Sequence, residues 1–145
     1  MKIYVGGTFS AQERLRAEAE TLHKLGHEIT SSWLREASKP ESLTYDQWMF
    51  QLSSKDVAEV FASDCLIMDL DGASTSGGRY VEWGVACHPL STILRLTVGG
   101  RAHVESEAGY AYGCFNHLAH GMFVNWDNVR AYLEINHNTK NRGAS

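Results

Sequence analysis

The chain has 145 residues, which fits one domain that buries roughly two-thirds of the surface its unfolded chain would expose, so a core forms without metals or disulfides. Its net charge of −4 provides no basic footprint, which excludes broad binding to nucleic acid or to an anionic membrane surface. Cys65, Cys87 and Cys114 are an odd number at wide spacing without a C-x-x-C pair, and they read as small buried hydrophobes in a reducing compartment.

Only Lys2 is basic ahead of Ile3-Tyr4-Val5, and Gly6-Gly7 follow at once, which is not a signal-peptide pattern. No apolar run approaches the roughly 18 residues of a membrane helix. The expected location is the cytoplasm, with no membrane partner.

Lys2 to Gly6 reads as a short buried strand ending in glycines. Ser10 and Glu13 form the sequence pattern of a capping box, and Leu15, Ala19, Leu22 and Leu25 recur at helical spacing up to a Gly26 cap. A second strand is expected over His27 to Leu34. Pro40 and its polar neighbours make a loop, and Thr44 with Gln47 starts a helix from about Tyr45 to Ala62. Cys65-Leu66-Ile67-Met68 is apolar throughout, as a strand buried on both faces is.

Asp69 to Gly78 is a small polar loop, and Arg79 to His88 is the next helix, ended by Pro89. Leu90 to Leu96 reads as a fourth strand, 99–113 as irregular, and Met122-Phe123-Val124 as a fifth strand. Asn125 caps a last helix bearing Val129, Tyr132 and Leu133, and residues 136–145 read as a frayed polar tail after a domain of residues 1–135.

Strands alternating with helices through short connections make a three-layer α/β domain of the flavodoxin-like or Rossmann-like kind. Its five parallel strands are expected in the order 2-1-3-4-5. Ligands of such sheets sit beyond the carboxyl ends of the strands, where the order reverses. That rule places Gly6-Gly7-Thr8-Phe9 and the loop from Asp69 to Gly78 side by side at one pocket.

Glu82 is expected in the first turn of a helix that starts at that pocket, where the helix dipole keeps a carboxylate ionised. An ionised carboxylate there attacks an anomeric carbon, or it serves only the helix dipole. Asp56 shares one helical face with Trp48, Leu52 and Val60, all apolar, so it is either a functional acid with a raised pKa or a structural carboxylate paired within the fold. Asp64, just before the third strand, is explained by a capping or turn role. Ser74, Thr75, Ser76, Gly77 and Gly78 offer hydroxyls and backbone N–H groups to an anion, or form a plain surface loop.

Gly6 and Gly7 allow a ligand close to the backbone, or simply a tight turn. Tyr4, Phe9, Trp33 and Trp48 are aromatic candidates for a base, or core residues. His117 and His120 lack a third ligand, so no metal site is expected. The chain has neither a Walker loop, nor a dinucleotide fingerprint, nor a G-x-S-x-G nucleophile elbow.

Three segments together resemble the nucleoside 2-deoxyribosyltransferase superfamily, which includes the 2′-deoxynucleoside 5′-phosphate N-hydrolases. They are Ile3 to Phe9, Asp56 to Asp64, and Ser76-Gly77-Gly78-Arg79-Tyr80-Val81-Glu82-Trp83-Gly84-Val85-Ala86, the last similar to a G-x-x-x-E-x-G-x-A signature. The resemblance covers about residues 2–98. It implies that Glu82 is the nucleophile taking the sugar, that Asp56 assists the leaving base or the sugar, and that Tyr4 is the aromatic on the first strand. It implies a retaining reaction with no metal or organic cofactor, and a homodimer or larger assembly whose neighbouring subunit often completes the pocket.

Six residues before the Glu, the transferases carry an Asp, whereas this chain has Ser76, as the nucleotide N-hydrolases do. Ser76, Gly78 and Arg79 therefore point to a 5′-monophosphate rather than a free nucleoside. Two rivals stand beside this reading. A cytokinin-riboside-monophosphate hydrolase has a P-G-G-x-G-T-x-x-E motif, for which Gly77-Gly78 to Glu82 is one residue short and lacks the Thr. A nucleotide-binding sensor without turnover would have no need of both Glu82 and Asp56.

Overall fold

The computed structural model describes residues 1–36, 38–71, 78–99 and 118–142, the last six of these by backbone alone. In chain order the elements are β1 (Lys2–Gly6), α1 (Gln12–Lys24), β2 (Glu28–Ile29), α2 (Tyr45–Phe61), β3 (Cys65–Asp69), α3 (Gly78–Ala86), β4 (Leu94–Val98), β5 (Gly121–Phe123) and α4 (Trp126–Arg142). Single 3-10 turns occupy Phe9–Ala11 and Ser32–Arg35. All strands are parallel, in the expected order β2-β1-β3-β4-β5.

β3 is buried along its whole length, and β1 from Ile3 onward, which is why both read as unbroken apolar runs. The core joins Ile3, Val5, Leu66, Ile67, Leu96 and Val98 of the sheet to Leu15 and Leu22 of α1 and to Val129 and Leu133 of α4. Truncating one such Leu to Ala costs about 2–5 kcal/mol. α2 and α3 pack together. An Arg130–Glu18 pair links α4 to α1. Among the described residues, no helix is long and apolar enough to cross a membrane.

Thr44 and Gln47 do form the reciprocal capping box that starts α2. Asn125 accepts the backbone N–H of Asn128 at the start of α4, at 3.0 Å. Gly26, with φ of 89°, ends α1.

The second strand is much shorter than the expected His27 to Leu34. Beyond Ile29, side chains take over the backbone groups of Val5. Ser31 Oγ accepts the Val5 N–H at 3.2 Å, and Trp33 Nε1–H donates to the Val5 carbonyl at 2.8 Å. The chain can then turn away as a 3-10 helix without leaving β1 unsatisfied.

Ser10 does not cap α1. Its hydroxyl bonds Thr8 Oγ1, and the helix starts at Gln12 after the Phe9–Ala11 turn. β4 begins four residues later than expected, because Leu90 is exposed and Ser91 closes turns with His88 and Ile93. α4 continues through the expected polar tail to Arg142. The segment read as irregular, 99–113, lies outside the described residues apart from Gly99.

Candidate active site

The parallel register sets Gly6 opposite Met68 at the carboxyl ends of β1 and β3. The ends of these two central strands form the floor of the site. A Cβ added to Gly6 would lie 2.7 Å from Glu82 Oε2, so the carboxyl group of Glu82 reaches over the strand end only because residue 6 has no side chain. Gly7 follows, beside the Cβ of Asp69.

Glu82 is the fifth residue of α3 rather than a first-turn residue. Its carboxyl group is therefore not held ionised by the helix N-terminus, contrary to the sequence expectation. The hydroxyl of Tyr4, a fully buried residue of β1, donates to Glu82 Oε1 at 3.0 Å. Glu82 Oε2 is buried with no hydrogen-bond partner among the described residues. Burial first, and then the charge of Asp56, push the Glu82 pKa up to about 8, against the Tyr4 hydrogen bond and Arg79.

Asp56 comes to the same place from α2. Burial, followed by the charges of Glu36 and Glu59, raises its pKa to about 6, while hydrogen bonding with Tyr4 opposes the rise. Asp56 Oδ1 is also buried and unpartnered among the described residues. Tyr4 itself is pushed well above the usual phenol range, first by burial and then by Glu82 and Asp56, so it is a donor at all working pH values. Two carboxyl groups, each with one unsatisfied buried oxygen, thus flank one hydroxyl at the end of the sheet. Such oxygens are costly in a native fold unless a ligand or water meets them.

Of the other expected site residues, Thr8 is buried and Phe9 is 63% exposed beside the strand end. Trp33 belongs to the core, with its N–H on the Val5 carbonyl, the core alternative that the sequence offered for it. Arg79 is 5% exposed and donates to the carbonyl of Asp69 at 3.1 Å, a role in holding α3 to β3 that the sequence does not disclose. Gly78 is the first residue of α3. Ser74, Thr75, Ser76 and Gly77 lie outside the described residues, as do Cys114 and His117. His120 pairs with Arg95, accepting its backbone N–H at 3.0 Å. No group of three or more metal-ligating side chains occurs among the described residues.

Sequence reading missed Asp69. Its fully buried carboxylate accepts four hydrogen bonds: two from Arg14, at 3.0 and 2.9 Å, one from the Asp71 N–H at 3.1 Å, and one from Trp126 Nε1–H at 2.9 Å. The signal was a charge closing an otherwise apolar run. Asp64 accepts the Lys2 N–H at 2.7 Å, which ties the start of β1 to the entry of β3 rather than capping a helix or closing a turn.

A separate cleft of about 620 Å³ runs between α1 and β2, lined in part by Arg16, Glu20, His23, His27 and Arg35. It includes none of Tyr4, Asp56 and Glu82, so it is separate from the carboxyl cluster.

No family model and no curated relative matches the chain. Solved structures do. A conserved protein from Enterococcus faecalis V583 superposes with a TM-score of 0.63 at 19% identity, over 89% of this chain and 94% of its own. A 2-deoxyribosyltransferase from Bacillus psychrosaccharolyticus gives 0.62 at 17%, over 89% and 90%. The chain has the nucleoside 2-deoxyribosyltransferase fold. A CMP N-glycosidase from Clostridium botulinum shares the deoxyribosyltransferase fold as well, with a TM-score of 0.54 at 16% identity, over 92% of this chain and all of its own.

Proposed function

We propose that the chain cleaves the N-glycosidic bond of a (deoxy)nucleoside 5′-monophosphate and releases the base, with Glu82 as nucleophile. The observation that carries this reading is the Glu82–Tyr4–Asp56 cluster at the carboxyl ends of β1 and β3, with Glu82 Oε2 and Asp56 Oδ1 both buried and without a hydrogen-bond partner among the described residues. Fold neighbours that include a 2-deoxyribosyltransferase and a CMP N-glycosidase support it.

In this mechanism Glu82 attacks the anomeric carbon as the base departs with a proton from Asp56. The carboxylates stabilise the oxocarbenium-like transition state, and water then hydrolyses the glycosyl ester on Glu82. Between pH about 6 and about 8 the pair holds one proton. The reacting form has that proton on Asp56 and Glu82 ionised, with the Tyr4 hydroxyl donating to Glu82.

The preference for a 5′-monophosphate rests on the sequence, with Ser76 in place of the Asp that the transferases carry, and on the helix start at Gly78. With Arg79 turned to Asp69, the cation is left out of that argument. Incubation with all common nucleosides and 5′-nucleotides, followed by chromatography, tests the reading. Free base and a sugar phosphate are expected. Base exchange on free deoxynucleosides would instead make the chain a transferase, and binding without base release would make it a sensor.

A further inference from the structure

The cleft of about 620 Å³ beside β2 has two walls that run in opposite directions. One is α1, where Arg16, Ala19, Glu20 and His23 share a face at helical spacing. The other is the chain from Glu28 to Arg35. Two contacts fix how the walls match. Arg16 Nε–H donates to the Leu34 carbonyl at 2.8 Å at one end, and His23 Nδ1 lies 3.1 Å from the His27 carbonyl at the other.

This match sorts charge along the cleft. Arg16 and Arg35 lie at the Leu34 end, within one residue of the same carbonyl. Both are exposed. Neither has a carboxylate within ion-pair distance among the described residues, although the chain has 17 acidic residues against 13 basic ones. Glu20 follows about 6 Å further along α1 and His23 about 10 Å, with Glu28 on the facing wall at that end. Ala19, Ile29 and Leu34 add an apolar lining.

A cleft of this volume is the size of a small-molecule site. Two neighbouring guanidiniums without carboxylates favour a phosphate, whose oxygens accept from both forks. Carboxylates beyond them favour amino donors, and the apolar lining between favours a flat ring. We propose that the cleft is a second, non-catalytic site, for a mononucleotide. Its phosphate lies on Arg16 and Arg35, its base lies against Ala19 and Ile29, and an amino edge of the base turns toward Glu20 and Glu28. This site does not depend on the glycosidase reading, since Tyr4, Asp56 and Glu82 take no part in it.

The test is a proton–nitrogen NMR titration with AMP, adenosine and inorganic phosphate. It uses the Glu82→Gln protein, so that AMP stays intact, with and without Arg35→Glu. AMP should shift the backbone amides of residues 16–23 and 28–35, and it should bind there about tenfold or more tighter than adenosine or phosphate alone. Arg35→Glu should weaken that binding by about tenfold or more, the scale of one charge-assisted hydrogen bond, while a well-dispersed spectrum shows that the variant folds. Undiminished binding in Arg35→Glu, or adenosine or phosphate binding as tightly as AMP, would overturn the proposal. AMP shifts confined to Gly6 and α3 would also overturn it and would leave the catalytic reading standing.

Discussion

Glu82 is made unusual by what surrounds its carboxyl group: the bare backbone of Gly6, the hydroxyl of Tyr4, and the competing charge of Asp56. Glu82→Ala should lower turnover by several orders of magnitude, as loss of a covalent nucleophile does, with base release from a 5′-nucleotide as the assay. The raised pKa values also set two pH dependences. The pair carries two protons below about 6 and none above about 8, so kcat/KM should follow a bell with limbs near those values, and Asp56→Asn should lose most activity together with the alkaline limb, since only the ionisation of Glu82 is then required.

Stability runs in one direction only. In the folded chain both carboxyls hold protons that the unfolded chain releases near pH 4, so their contribution falls as pH rises from about 4 to about 8. Glu82→Gln should therefore melt about 4 °C or more above wild type at pH 8, with the gain gone by pH 4, as thermal denaturation across that range can show. A variant that melts lower than wild type at pH 8 would mean that the Glu82 charge stabilises the fold.

Asp69 joins elements as Glu82 joins reactive groups. It fixes α1 through Arg14 and α4 through Trp126, and its carbonyl holds Arg79 of α3, the helix that carries Glu82. Removing a charge from such a buried, fully bonded carboxylate costs about 2–4 kcal/mol. Asp69→Asn should lower the melting temperature by several degrees, and kcat should fall more than KM rises, because α3 then places Glu82 less well. Unchanged kcat with lowered stability would make Asp69 a structural anchor only.

The elements themselves were unequally legible. β3 and α2 followed from an apolar run and a capping box, both local signals. β2, the start of α1 and the Asp69 node depended on side chains reaching across the sheet. Ser31 and Trp33 replace ladder bonds, and Arg14 meets Asp69 across 55 positions of sequence, which periodicity cannot display.

At the scale of the whole molecule, strand–helix alternation alone was enough for the order 2-1-3-4-5, and that order brings the Gly6 turn to the end of β3. Three residues from three elements, Tyr4, Asp56 and Glu82, meet there because β1, α2 and α3 are neighbours in this topology. The inward turn of Arg79 and the bond from Trp33 to Val5 were not legible, since each answers a backbone carbonyl of another element.

The phosphate preference belongs to this scale too. Ser76→Asp should cut kcat/KM for a 5′-nucleotide by about tenfold or more relative to its nucleoside, by placing a carboxylate against the phosphate. Equal nucleotide and nucleoside values in wild type would move the chain to the transferase branch. The central claim is the covalent step on Glu82, and mass spectrometry of protein quenched during turnover of a 5′-deoxynucleotide measures it directly. A deoxyribose-phosphate adduct on the peptide containing Glu82, absent from Glu82→Gln, is the predicted result; base release at full rate by Glu82→Ala, or an adduct on another residue, would contradict it.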